Sequence, residues 1–216
     1  MLFETHKKIL ILSPHTDDAE LGCGGTISKL VTEGHKILWV CFSTAEESLP
    51  SGFAPDALKN EFQEVMSYLG LKKNSYKIYD YRVRKLSEHR QAVLENLIEI
   101  KKEFNPEIVF GPSINDFHQD HGVVANEMIR AFKSSASIFS YELPWNHLDF
   151  KTQFFVKLEK AHLEKKLKML EFYKTQFVAK RNYFTKEFIQ GLATVRGAQI
   201  NQQYAECFEV IRSQIC

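Results

Sequence analysis

Two short acidic segments that carry histidine hold most of the chemistry this sequence can perform. Residues 14–20 read P-H-T-D-D-A-E, and residues 115–122 read N-D-F-H-Q-D-H-G. His15 and Asp18 stand three apart, so one imidazole and one carboxylate can converge from a single turn. His118 and His121 are also three apart and, at the start of a helix, share roughly one face. Two imidazoles and a carboxylate suit Zn2+ or another divalent ion such as Fe2+ or Co2+. Three protein ligands leave one position open for water, the arrangement of a catalytic rather than a structural site. Asp17 adjoins a ligand and can serve as general base on that water. Spacing alone leaves open how the two histidines of the second segment divide the work.

The elements around these segments alternate between strand and helix. Lys8–Ser13 reads as a buried strand ending before Pro14. Gly24–Glu33 has Ile27, Leu30 and Val31 at helical spacing, with Gly34 as its stop. Lys36–Ser43 is a β-branched and aromatic strand. Thr44–Asp56, with two prolines and a glycine, reads as a long functional loop. Ala57–Leu69 is helical, Tyr76–Tyr79 a short strand, and Ser87–Phe104 a helix capped by Ser87. Glu107–Gly111 is the next strand and Gly122–Lys133 the next helix. Beyond them, Lys157–Lys174 and Thr185–Gly197 read as helices, and Tyr204–Arg212 as a strand or short helix. Repeated β-α units imply an α/β, Rossmann-like fold, a mainly parallel sheet flanked by helices. Ligands of such sheets bind beyond the carboxyl ends of the strands. Both acidic segments follow a strand there.

Composition narrows the class. The chain has 216 residues, 44% hydrophobic and 25% charged. One domain spanning residues 1–216 fits that length. Lysine and arginine number 28 against 27 aspartate and glutamate, a net charge of +1. That near balance argues against broad binding to nucleic acid or an anionic membrane. No apolar run approaches the ~20 residues of a membrane span. Cys23, Cys41, Cys207 and Cys216 form no C-x-x-C pair, so reduced thiols and a cytoplasmic location are expected. His6, His35, His89 and His162 lack paired spacing and are expected on the surface.

The segment S-P-H-T-D-D-A-E-L-G-C-G-G-T-I closely resembles the opening motif of the PIG-L/LmbE-like deacetylases. N-D-F-H-Q-D-H-G is similar to the H-x-D-H segment of the same family. Weaker echoes follow in E-K-K-L-K-M-L-E-F-Y-K-T-Q, R-G and Y-A-E-C-F-E-V. Thr16 stands where the family usually has proline, which offers no ligand atom. The resemblance implies a zinc-dependent hydrolase that removes an acetyl group from an N-acetylamino sugar, often N-acetylglucosamine joined to another group. It implies His15, Asp18 and His121 as metal ligands, Asp17 as general base and His118 as a second catalytic histidine. Protonated His118 would stabilise the oxyanion. Asp120 and Asp116 are the carboxylates expected to orient it. The resemblance also makes a homo-oligomer, a trimer or hexamer, an expectation.

For substrate contacts, the expected residues are Arg82 and Arg84 after the third strand, Glu142 and Trp145 in Y-E-L-P-W-N-H, and Arg196 in the R-G echo. Gly22, Gly24 and Gly25 lack the G-x-G-x-x-G spacing of a dinucleotide loop and read as close helix–strand packing. Three competing readings remain: hydrolysis of a different amide or ester at the same site, a metal-free nucleotide-binding or methyl-transfer protein, and a non-catalytic binding subunit.

Overall fold

In a computed structural model, residues 6–214 are described, and Cys216 lies outside them. The first strand, β1 (Lys8–His15), alternates its side chains between two cores. Ile9 and Ile11 join one apolar cluster, and Leu10 and Leu12 the other. β2 (Lys36–Ser43) repeats the pattern, with Trp39 on the first side and Val40 and Phe42 on the second. Both strands are buried on two faces, as the central strands of a parallel sheet must be.

Seven strands form this sheet among the described residues, in the order β3-β2-β1-β4-β5-β7-β6. The others are β3 (Tyr76–Ile78), β4 (Ile108–Gly111), β5 (Ser137–Tyr141), β6 (Phe154–Leu158) and β7 (Tyr204–Arg212). β1 to β5 run parallel, and β7 runs antiparallel to both β5 and β6. The chain leaves β1 towards β2 on one side and returns to β4 on the other. The crevice above β1 and β4 is thus the switch point where ligands of such sheets bind. The α/β architecture expected from sequence is the one found.

Two strands escape the sequence pattern. β5 is a five-residue run, S-I-F-S-Y, without flanking turn signals. β6 takes the first residues of the expected Lys157–Lys174 helix, which shortens to α5 (Lys160–Leu170) followed by α6 (Lys174–Val178). α7 (Lys186–Ala198) and the β7 strand fall where expected. α2 (Ala57–Tyr68) matches its pattern, whereas α3 (Arg90–Phe104) begins after a 3-10 turn at Leu86–His89, which displaces the expected Ser87 cap. His35 is buried and accepts the Lys7 N–H at its Nδ1 (3.1 Å), so it is not the surface residue expected.

The first helix, α1 (Asp18–Thr32), starts at Asp18 rather than at Gly24. Its glycines are poor helix formers, and the helix does break at Cys23 (φ −146°, ψ 26°). Buried side chains replace backbone partners at the break. Glu206 accepts the N–H groups of Gly25 (3.0 Å) and Thr26 (2.6 Å). Lys166 Nζ donates to the Leu21 carbonyl and to Glu206, both at 2.7 Å. Gly22 packs so closely on Tyr141 that a Cβ there would overlap its ring, and a Cβ at Gly25 would lie 2.5 Å from Leu158. Gly22 and Gly25 serve helix–sheet packing, as expected, whereas Gly24 packs on Lys166 and Met169 of α5.

Candidate metal centre

His15 is the last residue of β1, and Asp17 is the N-cap of α1. Asp18, in the first turn, folds back so that Oδ2 accepts the His15 backbone N–H at 2.7 Å. From the other side of the switch point comes α4 (Gln119–Phe132), which starts at Gln119 rather than Gly122. Its N-cap is His118, whose Nδ1 accepts the Asp120 N–H at 3.3 Å. His121 lies one residue further into the first turn and is 2% exposed.

The two segments meet in a triangle. Asp18 Oδ2 lies 3.1 Å from His15 Nδ1 and 3.1 Å from His121 Nε2, and those two nitrogens are 3.2 Å apart. Ligands bound tetrahedrally at about 2.0–2.1 Å are themselves separated by about 3.3 Å. The outer nitrogen of each ring is already engaged. His15 Nε2 contacts Asp120 Oδ2 at 3.0 Å, and His121 Nδ1 contacts Asp116 Oδ2 at 2.7 Å. With the ring protons on those outer nitrogens, the inner nitrogens present bare lone pairs to each other and to a carboxylate. A cation satisfies all three, so the residues present fit a divalent metal. His118 also gathers here, its ring centroid 4.6 Å from that of His121 and 4.8 Å from that of His15. A ligand atom from each of the three histidines lies within 4.8 Å of the others. The Asp18 triangle is tighter.

Electrostatics agree with the geometry. Burial opposes a charge on His121, but Asp18 and Asp116 outweigh it and raise its pKa to about 10. Asp18 is also penalised by burial, yet His121 and His15 hold its carboxyl well below its ordinary value. The cage therefore demands positive charge, which a divalent ion supplies in place of a proton. Burial and the neighbouring Asp18 push Asp17 up to about 6. Burial and the two imidazoles lower His118 to about 4, which favours the neutral ring at pH 7.

The second carboxylates also differ from expectation. Neither orients the His118 ring. Asp120 turns to His15 and is itself held by the backbone N–H groups of Arg84 (2.5 Å) and Leu86 (3.2 Å). Asp116 serves His121, and its Oδ1 accepts the His118 backbone N–H at 2.8 Å. These contacts fix the tautomers of the two triangle histidines, the usual task of carboxylates behind metal ligands.

A cleft of about 280 Å3 opens over the triangle. Asp17 and His118 face it, with Trp145 and Asn146 on the rim. Ala45 and Ser48, from the long loop after β2, contribute to its wall. Trp145 stacks on Tyr183, centroids 3.9 Å apart and nearly parallel. The other residues expected to touch substrate lie elsewhere. Arg82 is exposed and paired with Glu47 (2.7 Å). Arg84 takes a left-handed backbone (φ 66°) that aims its N–H at Asp120, while its side chain does not line the cleft. Glu142 and Arg196 pair with each other and line a separate small cavity. Gln176, Arg181 and Tyr183 do line the cleft. Gln176 ends the E-K-K-L-K-M-L-E-F-Y-K-T-Q echo, whereas Arg181 and Tyr183 sit in a segment without motif or periodicity, so only the tertiary fold brings those two to notice.

The comparisons with known proteins point the same way. The family model described as GlcNAc-PI de-N-acetylase (PIG-L) matches residues 10–132. The chain is 27% identical over 175 residues to an uncharacterized deacetylase, YaiS, of Escherichia coli K12, covering 78% of this chain and 91% of that one. It is 23% identical over 205 residues to a probable N-acetyl-alpha-D-glucosaminyl L-malate deacetylase 2 of Bacillus anthracis, covering 88% and 90%. Its fold is similar to that of the N,N'-diacetylchitobiose deacetylase from Pyrococcus horikoshii, with a TM-score of 0.79, 24% identity and coverage of 97% and 85%. The family match embraces both acidic segments and the strands that carry them. The chain belongs to the PIG-L family of deacetylases.

Proposed function

We propose that this chain is a zinc-dependent N-deacetylase acting on an N-acetylamino sugar or its conjugate. The observation that carries the reading is the lone-pair triangle of His15, Asp18 and His121 beside Asp17 at the floor of an open cleft. The description of the matching family and the printed name of the Bacillus anthracis relative both concern an N-acetylglucosaminyl group. Fold likeness alone would not fix a reaction.

An amide is a poor electrophile, and water is a poor nucleophile at neutral pH. A divalent ion in the triangle supplies Lewis acidity, which makes water more acidic and polarises the amide carbonyl. Asp17, half-buried with a pKa of about 6, takes the proton from the attacking water and passes it to the leaving amine. His118 accepts from the backbone at Nδ1, so Nε2 carries its proton and donates to the developing oxyanion. It does so as a neutral imidazole. Asp120 and Asp116 hold the His15 and His121 rings in place. Trp145 offers an apolar rim for a sugar ring.

The test is acetate release from a panel of N-acetylamino sugars and conjugates, with and without chelator, alongside metal analysis. Chelator-sensitive release with about one zinc per chain is expected. Stoichiometric zinc with hydrolysis of other amides or esters only would overturn the substrate. Absence of both zinc and hydrolysis after metal is restored would favour a metal-free binding protein.

A further inference from the structure

We propose that Arg181 makes the cleft selective for amino sugars bearing an oxyanion substituent, a carboxylate or a phosphate. This rests on the deacetylase reading for the sugar and on the geometry of Arg181 for the anion.

Among the described residues lining the cleft, Arg181 is the one with a permanent positive charge. Four other arginines are already neutralised, and Arg84 and Arg212 do not line the cleft. Arg82 pairs with Glu47, Arg90 and Arg130 with Glu127, and Arg196 with Glu142. Among the described residues, no salt bridge engages Arg181. Its Nε donates to Gln176 Oε1 at 3.2 Å, and its guanidinium lies 6.0 Å from the centre of the Tyr183 ring. Tyr183 is in turn clamped on Trp145. The guanidinium is therefore braced by the Gln176 amide and by Tyr183, whose hydroxyl also takes a side-chain hydrogen bond from it; both partners are neutral, so the charge of Arg181 has no paired carboxylate.

The cleft is electrically polarised. Asp17 and Asp18 line it at the triangle, where a divalent ion would offset their charge, and Arg181 adds a positive side chain to the lining outside the triangle. When the acetamido group of a substrate occupies the triangle, Arg181 is the positive side chain of the lining that is left for an anionic substituent. A planar guanidinium binds carboxylate or phosphate through parallel N–H bonds, and a charge-assisted bond of this kind is worth about tenfold or more in affinity. Since Arg181 is exposed, salt should weaken the effect. A purely structural role, in which Arg181 only offsets Asp17, would act on every substrate alike.

The probes are deacetylated products, which are not turned over: glucosamine 1-phosphate, a carboxymethyl glucosaminide and methyl glucosaminide. Calorimetry on the zinc-loaded full chain is expected to show both charged ligands bound about tenfold or more tightly than the neutral one. In Arg181→Ala that ratio should fall to about twofold or less, and in Arg181→Lys part of it should survive, because a point charge remains without the planar fork. The preference should also shrink at about 0.5 M salt. Equal binding of all three ligands by the unmodified chain would overturn the proposal. So would an Arg181→Ala variant that weakens all three alike. Acetate release from the acetylated forms is read in parallel. An intact charge preference without any acetate would sink the deacetylase reading and leave the oxyanion site standing.

Discussion

His15 Nδ1 and His121 Nε2 approach to 3.2 Å, while the far nitrogen of each ring rests on a different aspartate. β1 delivers one ring and α4 the other, across the switch point of the sheet. Asp18 closes the triangle because the turn after β1 folds its carboxylate onto the His15 backbone N–H. Local sequence supplies each half of the centre, and the sheet order joins them.

Asp116 should matter through His121 rather than by touching substrate. Asp116→Asn keeps the shape but weakens the pull on the Nδ1 proton. We expect metal affinity to fall about 10–100-fold, measured by competition with a chromophoric chelator. Unchanged affinity would remove Asp116 from the centre.

Asp17→Asn should separate binding from turnover. The side chain stays polar and the triangle is untouched, so zinc content should match that of the unmodified chain. Turnover should fall about 10²–10⁴-fold, as expected for loss of a general base. Normal acetate release would take the proton-transfer role away from Asp17.

Lys166 and Glu206 patch the break in α1, just behind the turn that carries Asp18. Lys166→Met leaves the Glu206 carboxylate buried without its cation, at a cost of about 3–5 kcal/mol. Urea unfolding should register that loss, and Lys166→Met combined with Glu206→Gln should recover part of it. Single and double variants of equal stability would mean the pair does not brace the break.

Glu61 gives stability a pH dependence. It is buried and accepts from the Thr175 N–H (3.1 Å) and hydroxyl (2.7 Å). Burial raises its pKa, and the Thr175 bonds oppose the rise without cancelling it. The folded state therefore holds the proton more tightly than the unfolded state. That contribution is full below the ordinary glutamate pKa and is lost as pH rises through the folded value. Glu61→Gln can satisfy both Thr175 groups without titrating. Urea unfolding between about pH 4 and 7 should show a stability difference between variant and unmodified chain that changes with pH across that raised value. A constant difference would contradict it.

Much of this centre was legible before any fold was known, because its pieces are local. His15–Asp18 and His118–His121 each fit within one turn at a strand end, and the apolar runs that place them, Ile9–Leu12 and Ile108–Phe110, are strong. What escaped depends on contacts distant in sequence. Propensity could not start α1 at Asp18, since Lys166 and Glu206 supply what its glycines lack. Asp120 looked like a partner for nearby His118, but the α4 turn aims it at His15, 105 residues away. Arg181 and Tyr183 reach the cleft only because the C-terminal helices fold back over it. Glu142, chosen from a polar-aromatic loop, and Arg196, chosen from an echo in sequence, pair with each other.

The most direct test of the metal centre is an anomalous difference map at the zinc edge from crystals of the metal-loaded chain. We expect one ion bound by His15 Nδ1, Asp18 Oδ2 and His121 Nε2, with His118 outside the ligand set. An ion held by His118 in place of Asp18, or none at the triangle, would contradict the account.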